Sequence, residues 1–388
     1  MAGAQFGSFI VPSVAVIIGS PGSVLGEIYF AQTIPYAVVS PLAGSLVDKF
    51  GATYVIVSAH ALRIVAASAL LVTAGAGGVS SWLLIGFALV LGVGNAAFDV
   101  AYQAAVPMLV TNDQITSANA RLQTTGSLAA ILVQSLGGIM LEHTRAANAF
   151  GGIVALAIVA IILLFPIFAH IGKSDGSLGS ISFRAPVRFI RDHSSLGRIL
   201  IVTAIANLGI ALAAPALILF YYRTLGLQLE AVGFIGAAAL TGGLVGGLLS
   251  SRLLNYGTRL TLLSTCIAIG VGLLGLASIA TTTRTSMIAF VGSSIFAALR
   301  GMATTAFNVA QFSYRQSVVP ADLQGRISGL SRTVTWSTIP IGSAADIVLL
   351  PNIGVHGTII VAGFILLIAG IVASRNANTM LPTSHFQL

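Results

Sequence analysis

The chain is a succession of long apolar stretches separated by short polar connections. A helix needs about 20 apolar residues to cross a bilayer, because each residue adds ~1.5 Å toward a hydrocarbon core of ~30 Å. Eleven stretches are long enough: 24–47, 52–74, 80–109, 120–141, 148–171, 198–222, 230–254, 258–281, 285–314, 327–350 and 355–374. The sequence therefore predicts an all-α membrane protein that crosses the bilayer many times.

A twelfth apolar segment, from Phe6 to Gly19, is shorter than the others. As a helix it would cover only about 21 Å, which is less than the hydrocarbon thickness. We expect either an unusually short first helix or a chain that begins within that helix, and we favour the second explanation. The first helix is then truncated by roughly 15–20 residues.

Charged residues are too few to cover a surface that faces water. They make up 7% of the chain, against about 25% in soluble domains, and the mean hydropathy is +0.99. The net charge of +8 comes from cations placed between apolar stretches, not from one patch. The lipid bilayer is thus the expected partner, and nucleic acid is not.

Basic residues lie mostly on one side of the predicted spans, which fixes the orientation by the positive-inside rule. Arg145, Arg223 and Arg284 fall on one side, and three further arginines fall within spans. Twelve basic residues fall on the other side: Lys49, Arg121, Lys173, Arg184, Arg188, Arg191, Arg198, Arg252, Arg259, Arg315, Arg326 and Arg375. We expect a multi-pass protein of the cell inner (plasma) membrane with a cytoplasmic C-terminus.

The longest polar stretch, 172–197, divides the chain into an N-terminal six-helix bundle (1–171) and a C-terminal one (198–388). Within it Phe183, Val187 and Ile190 recur at helical spacing, beside a basic face formed by Arg184, Arg188 and Arg191. This pattern predicts an amphipathic helix on the anionic inner leaflet. A solvated linker is the alternative.

Two fragments of the first half recur in the second. Phe98-Asp-Val-Ala101 is echoed by Phe307-Asn-Val-Ala310, and Gln103-Ala-Ala-Val-Pro107 by Gln316-Ser-Val-Val-Pro320. Parallel repeats of six spans are typical of transporters built from two bundles. A chance echo of short fragments is the alternative.

A short cytoplasmic loop follows the predicted span 24–47, which is the second if Phe6 to Gly19 is counted as the first. Its sequence is Gly44-Ser-Leu-Val-Asp48-Lys49-Phe-Gly51. Gly44 would allow a neighbouring helix to approach, and Gly51 would allow a tight turn. Asp48 would accept from the N–H groups at a helix N-terminus. Together with Lys49 these residues form a candidate latch for one conformation.

This loop resembles the motif Gly-x-x-x-Asp-(Arg/Lys)-x-Gly-(Arg/Lys)-(Arg/Lys) of the major facilitator superfamily. Further segments are similar to its macrolide-efflux and enterobactin-exporter-like branch: 98–107, 113–121, 187–191, 313–320 and Gly325-Arg326. The resemblance covers the chain from Gly3 onward. It implies the major facilitator fold, with two six-helix bundles, and an exporter driven by the proton gradient.

Three departures from that family pattern weaken the expectation of proton antiport without weakening the fold. Ala52 and Thr53 replace the two basic residues that close the loop motif. Residues 133–138 keep only the final glycines of Gly-Pro-x-x-Gly-Gly, and Gln5 stands where related exporters often carry an acid.

Ionisable residues inside spans usually face a cavity or a partner. Arg63 and Asp99 lie at about the same depth, ~15 Å from the cytoplasmic ends of consecutive spans. We predict that they pair, with His60 one turn from Arg63, and that Asp99 carries the coupling proton. A static ion pair is the alternative. Asp346 and Glu27 are weaker candidates for proton carriers.

Polar residues also form stripes on the predicted spans 80–109 and 285–314, the fourth and the tenth of twelve. These are two of the four spans that line the central cavity in a two-bundle transporter. The cavity-lining candidates are Asn95, Gln103, Asn207, Arg300, Thr304, Asn308 and Trp336, with Gln311 and Arg315 continuing the stripe. Polar contacts between helices are the alternative for these residues. A lipid-facing position is an alternative for Trp336.

The sequence carries no sign of enzyme or cofactor chemistry. No Gly-Lys-Ser/Thr sequence follows a strand, as a phosphate-binding loop would require, the six histidines lack metal-ligand spacing, and Cys266 is the single cysteine. We therefore predict no cofactor, no metal and no enzymatic activity. The predicted function is export of amphipathic small molecules, drug, macrolide or siderophore-like, by a monomer using proton antiport and alternating access. Import of a small polar nutrient and a non-transporting membrane scaffold or sensor are the alternatives.

Overall fold

The computed structural model describes residues 2–111, 114–168, 184–282 and 286–374, and these are helical almost throughout. The helices are α1 (Ala2–Ile17), α2 (Gly22–Phe50), α3 (Ala52–Gly75), α4 (Ser81–Leu109), α5 (Ile115–His143), α6 (Ala146–Phe168), α7 (Arg184–Asp192), α8 (Ser194–Leu219), α9 (Leu229–Leu254), α10 (Thr258–Thr282), α11 (Ser286–Val318), α12 (Ala321–Trp336) and α13 (Thr338–Ser374). A π-helical turn, Phe220–Thr224, extends α8.

Nine helical stretches within the described residues are long and apolar enough to cross a membrane, or ten if the bent helix α2 is included. One of the nine, Ile327–Ser374, is 48 residues long and would extend about 72 Å, more than twice the hydrocarbon thickness. Gly354 interrupts it with a φ of 69°, at the boundary between the predicted spans 327–350 and 355–374. This stretch therefore contains both of those spans. The short apolar segment predicted from Phe6 to Gly19 corresponds to the apolar helix α1.

Local signals explain several of the helix ends. Gly51 separates α2 from α3 with a φ of 89°, which a residue with a Cβ rarely adopts, and its N–H donates to the carbonyl of Val47. The side chain of Ser80 accepts from the N–H of Leu83 and so caps α4. Pro320 precedes α12 and ends the continuous run of α11.

Two compact units make up the described chain. The first contains α1 to α6 together with residues 228–233, and the second contains α7, α8, the rest of α9 and α10 to α13. The boundaries predicted from the sequence, at 171/172 and 197/198, stay a prediction. The polar opening of the linker and Phe183 lie outside the described residues.

Close helix packing in the first unit depends on small residues. A Cβ on Gly92 of α4 would come within about 2.5 Å of the carbonyl oxygen of Gln32 on α2. A Cβ on Gly94 would meet the carbonyl of Ala59 on α3. Because lipid gives helices no hydrophobic reason to associate, such backbone approach supplies much of the packing energy. These contacts bring α2, α3 and α4 together around one polar cluster.

The second unit uses the same device between α9 and α11. A Cβ on Gly242 or Gly246 would overlap the backbone of Ala298 or Met302, and one on Gly301 would overlap the carbonyl of Ala239. The glycine pairs of α9 are thus a packing surface, as their spacing indicates. In the same unit, Gly342 of α13 packs against the backbone of Leu208 and Leu212 on α8.

The predicted amphipathic helix forms as α7. Phe189 and Ile190 pack against a small core made by Leu196, Val319 and Ile327 in the second unit. Arg188 and Arg191 are exposed and lie near Asp192. One apolar side of the helix is therefore covered by protein, while Val187 is exposed. Its placement on the inner leaflet stays a prediction.

Candidate functional site: a buried polar cluster in the first unit

Arg63 of α3 is the centre of the polar cluster in the first unit, with only 1% of its surface exposed. Its Nη2 donates to Oδ1 of Asn95 on α4 at 2.6 Å, and its Nη1 lies 3.4 Å from Nδ1 of His60. The guanidinium also lies over the ring of Phe98, 5.5 Å from the centroid. A cation buried in this way is held by one amide, one imidazole and one aromatic face.

Asp99 follows Phe98 on α4 and is held by a different helix. The hydroxyl of Tyr36 on α2 donates to Oδ2 of Asp99 at 3.0 Å. The charges of Arg63 and Asp99 also act on each other. The predicted ion pair between these two side chains stays a prediction, since the hydrogen bonds described for Arg63 join it to Asn95 and His60.

His60 is buried against the edge of the Phe98 ring, with the two centroids 5.5 Å apart. Its Nε2 and the Nε of Arg63 are buried and have no hydrogen-bond partner within the described part of the chain. Such orphan polar atoms are uncommon and usually mark a site where water, an ion or a ligand binds. These two nitrogen atoms of the cluster are therefore available to hydrogen-bond a further partner.

Four members of this cluster were predicted from the sequence to be site residues, whereas Tyr36 and Phe98 were not. Asn95 was expected to line a cavity, and the structure buries it against Arg63. Tyr36 lies on the second helix in an apolar run, and no charge or spacing in that run marked it. The only available signal was that a buried tyrosine hydroxyl usually needs a partner.

The residues of the candidate latch lie at the end of α2. Gly51 makes the expected tight turn, and the ammonium of Lys49 lies over the ring of Phe50 at 5.1 Å. Gly44 differs from expectation, because a Cβ there would meet nothing within 4 Å. No described helix approaches at Gly44 in this structure, and Asp48 is half-buried.

The other cavity-lining candidates lie in different surroundings. The amide of Asn207 on α8 donates to the backbone carbonyl of Thr335 on α12 at 2.8 Å, which agrees with the alternative of a polar contact between helices. Gln103 and Asn308 are exposed. The guanidinium of Arg332 lies over the ring of Trp336 at 5.8 Å. Their role as cavity residues stays a prediction.

Arg300 and Thr304 lie on α11, and each has a buried polar atom without a partner in the described chain. Asp346 on α13 has no exposed surface, and neither of its carboxyl oxygens has a hydrogen-bond partner among the described residues. A buried carboxylate without a partner is very unfavourable, so Asp346 is expected to hold a proton. No cluster of potential metal ligands is found in the described ranges.

A set of apolar helices around a buried, ionisable and incompletely satisfied cluster is typical of a multi-pass membrane transporter. The chain belongs to the Major Facilitator Superfamily, whose family profile matches residues 1–343. The fold is the major facilitator fold, and the protein is a transporter of small molecules and not an enzyme.

Two relatives carry names that describe export. The chain is 22% identical to macrolide efflux protein A of Streptococcus pyogenes over 351 residues, covering 87% of this chain and 84% of the relative. It is 24% identical to the multidrug efflux pump Tap of Mycolicibacterium fortuitum, covering 96% and 92%. The nucleoside transporter NupG shares its fold, with a TM-score of 0.72, 13% identity, and coverage of 97% and 98%.

Proposed function

We propose that this transporter exports amphipathic small molecules by alternating access, and that Asp99 couples export to the proton gradient. The observation that carries the coupling is the cluster of Tyr36, Arg63, Asn95 and Asp99 on three helices of the first unit. Its carboxylate accepts from a neutral hydroxyl and lies within the field of a buried arginine. Adding a proton to Asp99 would change both interactions at once.

The direction of transport is inferred from the relatives. Macrolide efflux protein A and the pump Tap are named for export, and the chain matches most of the length of each. We therefore propose an amphipathic drug, macrolide or siderophore-like molecule as substrate. Membership of a transporter family makes the scaffold or sensor alternative unnecessary.

The test is transport by purified protein in proteoliposomes that carry an imposed pH gradient. A radiolabelled macrolide is the first probe. We expect its movement to collapse when the gradient is dissipated and to be lost or uncoupled in Asp99→Asn. Asp192→Asn is the matched control, because it removes an acid from the exposed side of α7. Wild-type coupled transport in Asp99→Asn would refute the assignment to Asp99.

Import or facilitated entry of a small polar nutrient is the second candidate. The specific observation in its favour is the segment 133–138, which keeps only the last two glycines of the antiporter motif. Helix packing requires the second of these glycines, because a Cβ on Gly138 would come within about 2.6 Å of the carbonyl oxygen of Leu229. Counterflow of a labelled nucleoside without any macrolide movement would favour this candidate.

We further propose that the protein acts as a monomer in the plasma membrane with a cytoplasmic C-terminus. The distribution of basic residues between the spans supports this orientation. A reporter active only in the cytoplasm, fused at the C-terminus, is expected to give signal. The mass of the protein in nanodiscs is expected to equal one chain of 39.6 kDa.

A further inference from the structure

The start of α9 is bound to the end of α5 by two polar contacts. Oε2 of Glu142, in the last turn of α5, accepts from the backbone N–H of Leu229 at 2.9 Å. Nε2 of the neighbouring His143 lies 3.0 Å from Oε2 of Glu230. Both partners on α9 belong to the segment 228–233, which is part of the first unit. Two adjacent side chains of α5 therefore hold two adjacent residues of α9.

The backbones of α5 and α9 also meet at a pair of glycines beside these contacts. A Cβ on Gly138 would lie 2.6 Å from the carbonyl oxygen of Leu229 and 3.1 Å from Cα of Gly233. A Cβ on Gly233 would lie 2.6 Å from the carbonyl oxygen of Gln134. Such close approach of two backbones supplies packing energy between helices in lipid. The segment 228–233 is thus fitted to α5 in shape as well as in polarity.

Glu142 stabilises the start of α9 as a helix cap does. The first N–H groups of a helix have no acceptor within it, and the helix dipole favours a carboxylate at that end. Loss of a capping acceptor shifts an equilibrium by about two- to thirtyfold. The side chains of His143 and Glu230 are 63% and 34% exposed, and an exposed ion pair shifts an equilibrium by about fivefold or less. Glu142 is therefore the stronger of the two polar contacts.

The rest of α9 belongs to the second unit and is bound there to α11. A Cβ on Gly242 or Gly246 would overlap the backbone of Ala298 or Met302. These contacts run through the middle of α9, whereas the contact with α5 involves only the segment 228–233. The contact with α5 is therefore the easier one to break.

The transport cycle places opposing demands on α9, which is one continuous helix over Leu229–Leu254. Alternating access requires one bundle to rock against the other. During that movement a continuous helix cannot keep its contact with α5 and its contact with α11 unchanged. One of them has to release, and the contact of 228–233 with α5 is the weaker.

We propose that the segment 228–233 is a latch that closes on the external end of α5 and opens in each transport cycle, with Glu142 as its positioning residue. Opening breaks the hydrogen bond from Leu229 to Glu142, parts His143 from Glu230 and separates the two glycines. The proposal rests on the proposed transport function, because only a moving transporter needs this release. It applies to a macrolide or to any other transported solute.

Thiol labelling of Leu229→Cys measures how often the latch is open. Leu229 is 2% exposed, and the variant keeps the backbone N–H that donates to Glu142. Cys266→Ala removes the single native thiol. The full-length protein is placed in phosphatidylcholine nanodiscs and treated with a polar maleimide. We expect slow labelling that Glu142→Ala accelerates by about three- to tenfold and His143→Gln by a smaller factor.

Asp192→Ala is the matched control, since it removes an exposed acid from α7 and should leave the labelling rate unchanged. The melting temperature of each variant is measured alongside, so that only folded variants are compared. Equal labelling rates with and without the Glu142 carboxylate would overturn the proposal. Labelling needs neither substrate nor gradient, so it tests the latch even if macrolide export fails.

A reversible cross-link tests whether the latch has to open for transport. His143→Cys and Glu230→Cys are combined and joined by a short bifunctional methanethiosulfonate, which replaces the length of the two lost side chains. We expect macrolide transport in proteoliposomes to stop on cross-linking and to return when a reductant removes the link. Mass spectrometry confirms that the link has formed before transport is measured.

Ser20→Cys with Ser81→Cys is the control pair for this cross-link. The two hydroxyls lie 2.9 Å apart, and both residues belong to the first unit, so a link between them should leave transport unchanged. Macrolide transport at the uncross-linked rate with His143→Cys and Glu230→Cys joined would retain the proposed function and overturn the latch.

Discussion

Arg63 donates its shortest hydrogen bond to the uncharged amide of Asn95, 2.6 Å away, although Asp99 lies one turn further along the same helix. An amide oxygen satisfies one donor but leaves the charge of the guanidinium to be balanced by its wider surroundings. Those surroundings are the ring of Phe98 and the field of Asp99. The carboxylate of Asp99 also accepts from the hydroxyl of Tyr36 on α2.

Replacing Asn95 tests how far the cluster depends on that amide. Asn95→Leu removes the acceptor from a fully buried cation, so the free energy of unfolding should fall by about 1–3 kcal/mol. Asn95→Asp restores an acceptor of the same shape and adds a countercharge, so its melting temperature should recover to the wild-type value or above. Thermal unfolding in detergent measures both. Equal melting temperatures for the two variants would contradict this view of Arg63.

Tyr36 is expected to matter for transport through Asp99. Tyr36→Phe removes the donor at 3.0 Å and leaves the ring in place. The carboxylate would lose a hydrogen bond worth about 1–3 kcal/mol, which should slow proton-coupled export several-fold. Tyr29→Phe, about two helical turns earlier on α2, is the comparison variant. Identical export rates in wild type and Tyr36→Phe would show that this contact has no part in coupling.

Packing of α11 against α9 should tolerate no side chain at Gly301. A Cβ there would overlap the carbonyl of Ala239, so Gly301→Val should separate the helices and greatly lower the yield of folded protein. Gly272→Val on α10 is the control, because a Cβ at Gly272 meets nothing within 4 Å. Size-exclusion profiles of the two variants measure the difference. A monodisperse Gly301→Val variant of wild-type stability would refute the packing argument.

The two glycines of the candidate latch, Gly44 within α2 and Gly51 after it, should behave differently. Gly51 has a φ of 89°, so Gly51→Ala strains the turn by about 1 kcal/mol or more. Gly44→Ala meets open space and favours the helical backbone, so the melting temperature should stay level or rise. If Gly44→Ala nevertheless abolishes transport, the latch closes there in another conformation. Both variants are therefore assayed for stability and for transport.

Asp346 should be replaceable by a neutral residue without loss of stability. Its carboxyl is fully buried and unpartnered within the described chain, which favours the protonated form that asparagine imitates in shape. Asp346→Asn should unfold at the wild-type temperature or slightly higher. A large fall in melting temperature would indicate that the carboxylate is charged and paired. Retained proton coupling in the same variant would restrict the coupling role to Asp99.

The amino-acid sequence was sufficient for the helical class of the protein and for the position of most of its apolar helices. Apolar length alone marks a membrane helix, and the predicted break between 350 and 355 is present at Gly354. Gly51 as a turn and α7 as a helix were also predicted from the sequence, because each depends on local backbone geometry or on a short periodic pattern.

The partners of the buried polar groups were decided only by the tertiary structure. Lipid-facing and protein-facing sides of these helices are equally apolar, so no periodicity shows which side meets which neighbour. Equal depth in the spans suggested the pair of Arg63 and Asp99, which stays a prediction. The packing of α2, α3 and α4 adds Asn95 at Nη2 of Arg63 and Tyr36 at the carboxylate of Asp99, and neither contact was predicted. Asn95 and Asp99 lie on one face of α4, so a shift of this helix by about one turn (~5.4 Å) along its axis would exchange the residue opposite Arg63. The apolar pattern of the sequence marks the spans but leaves that shift open.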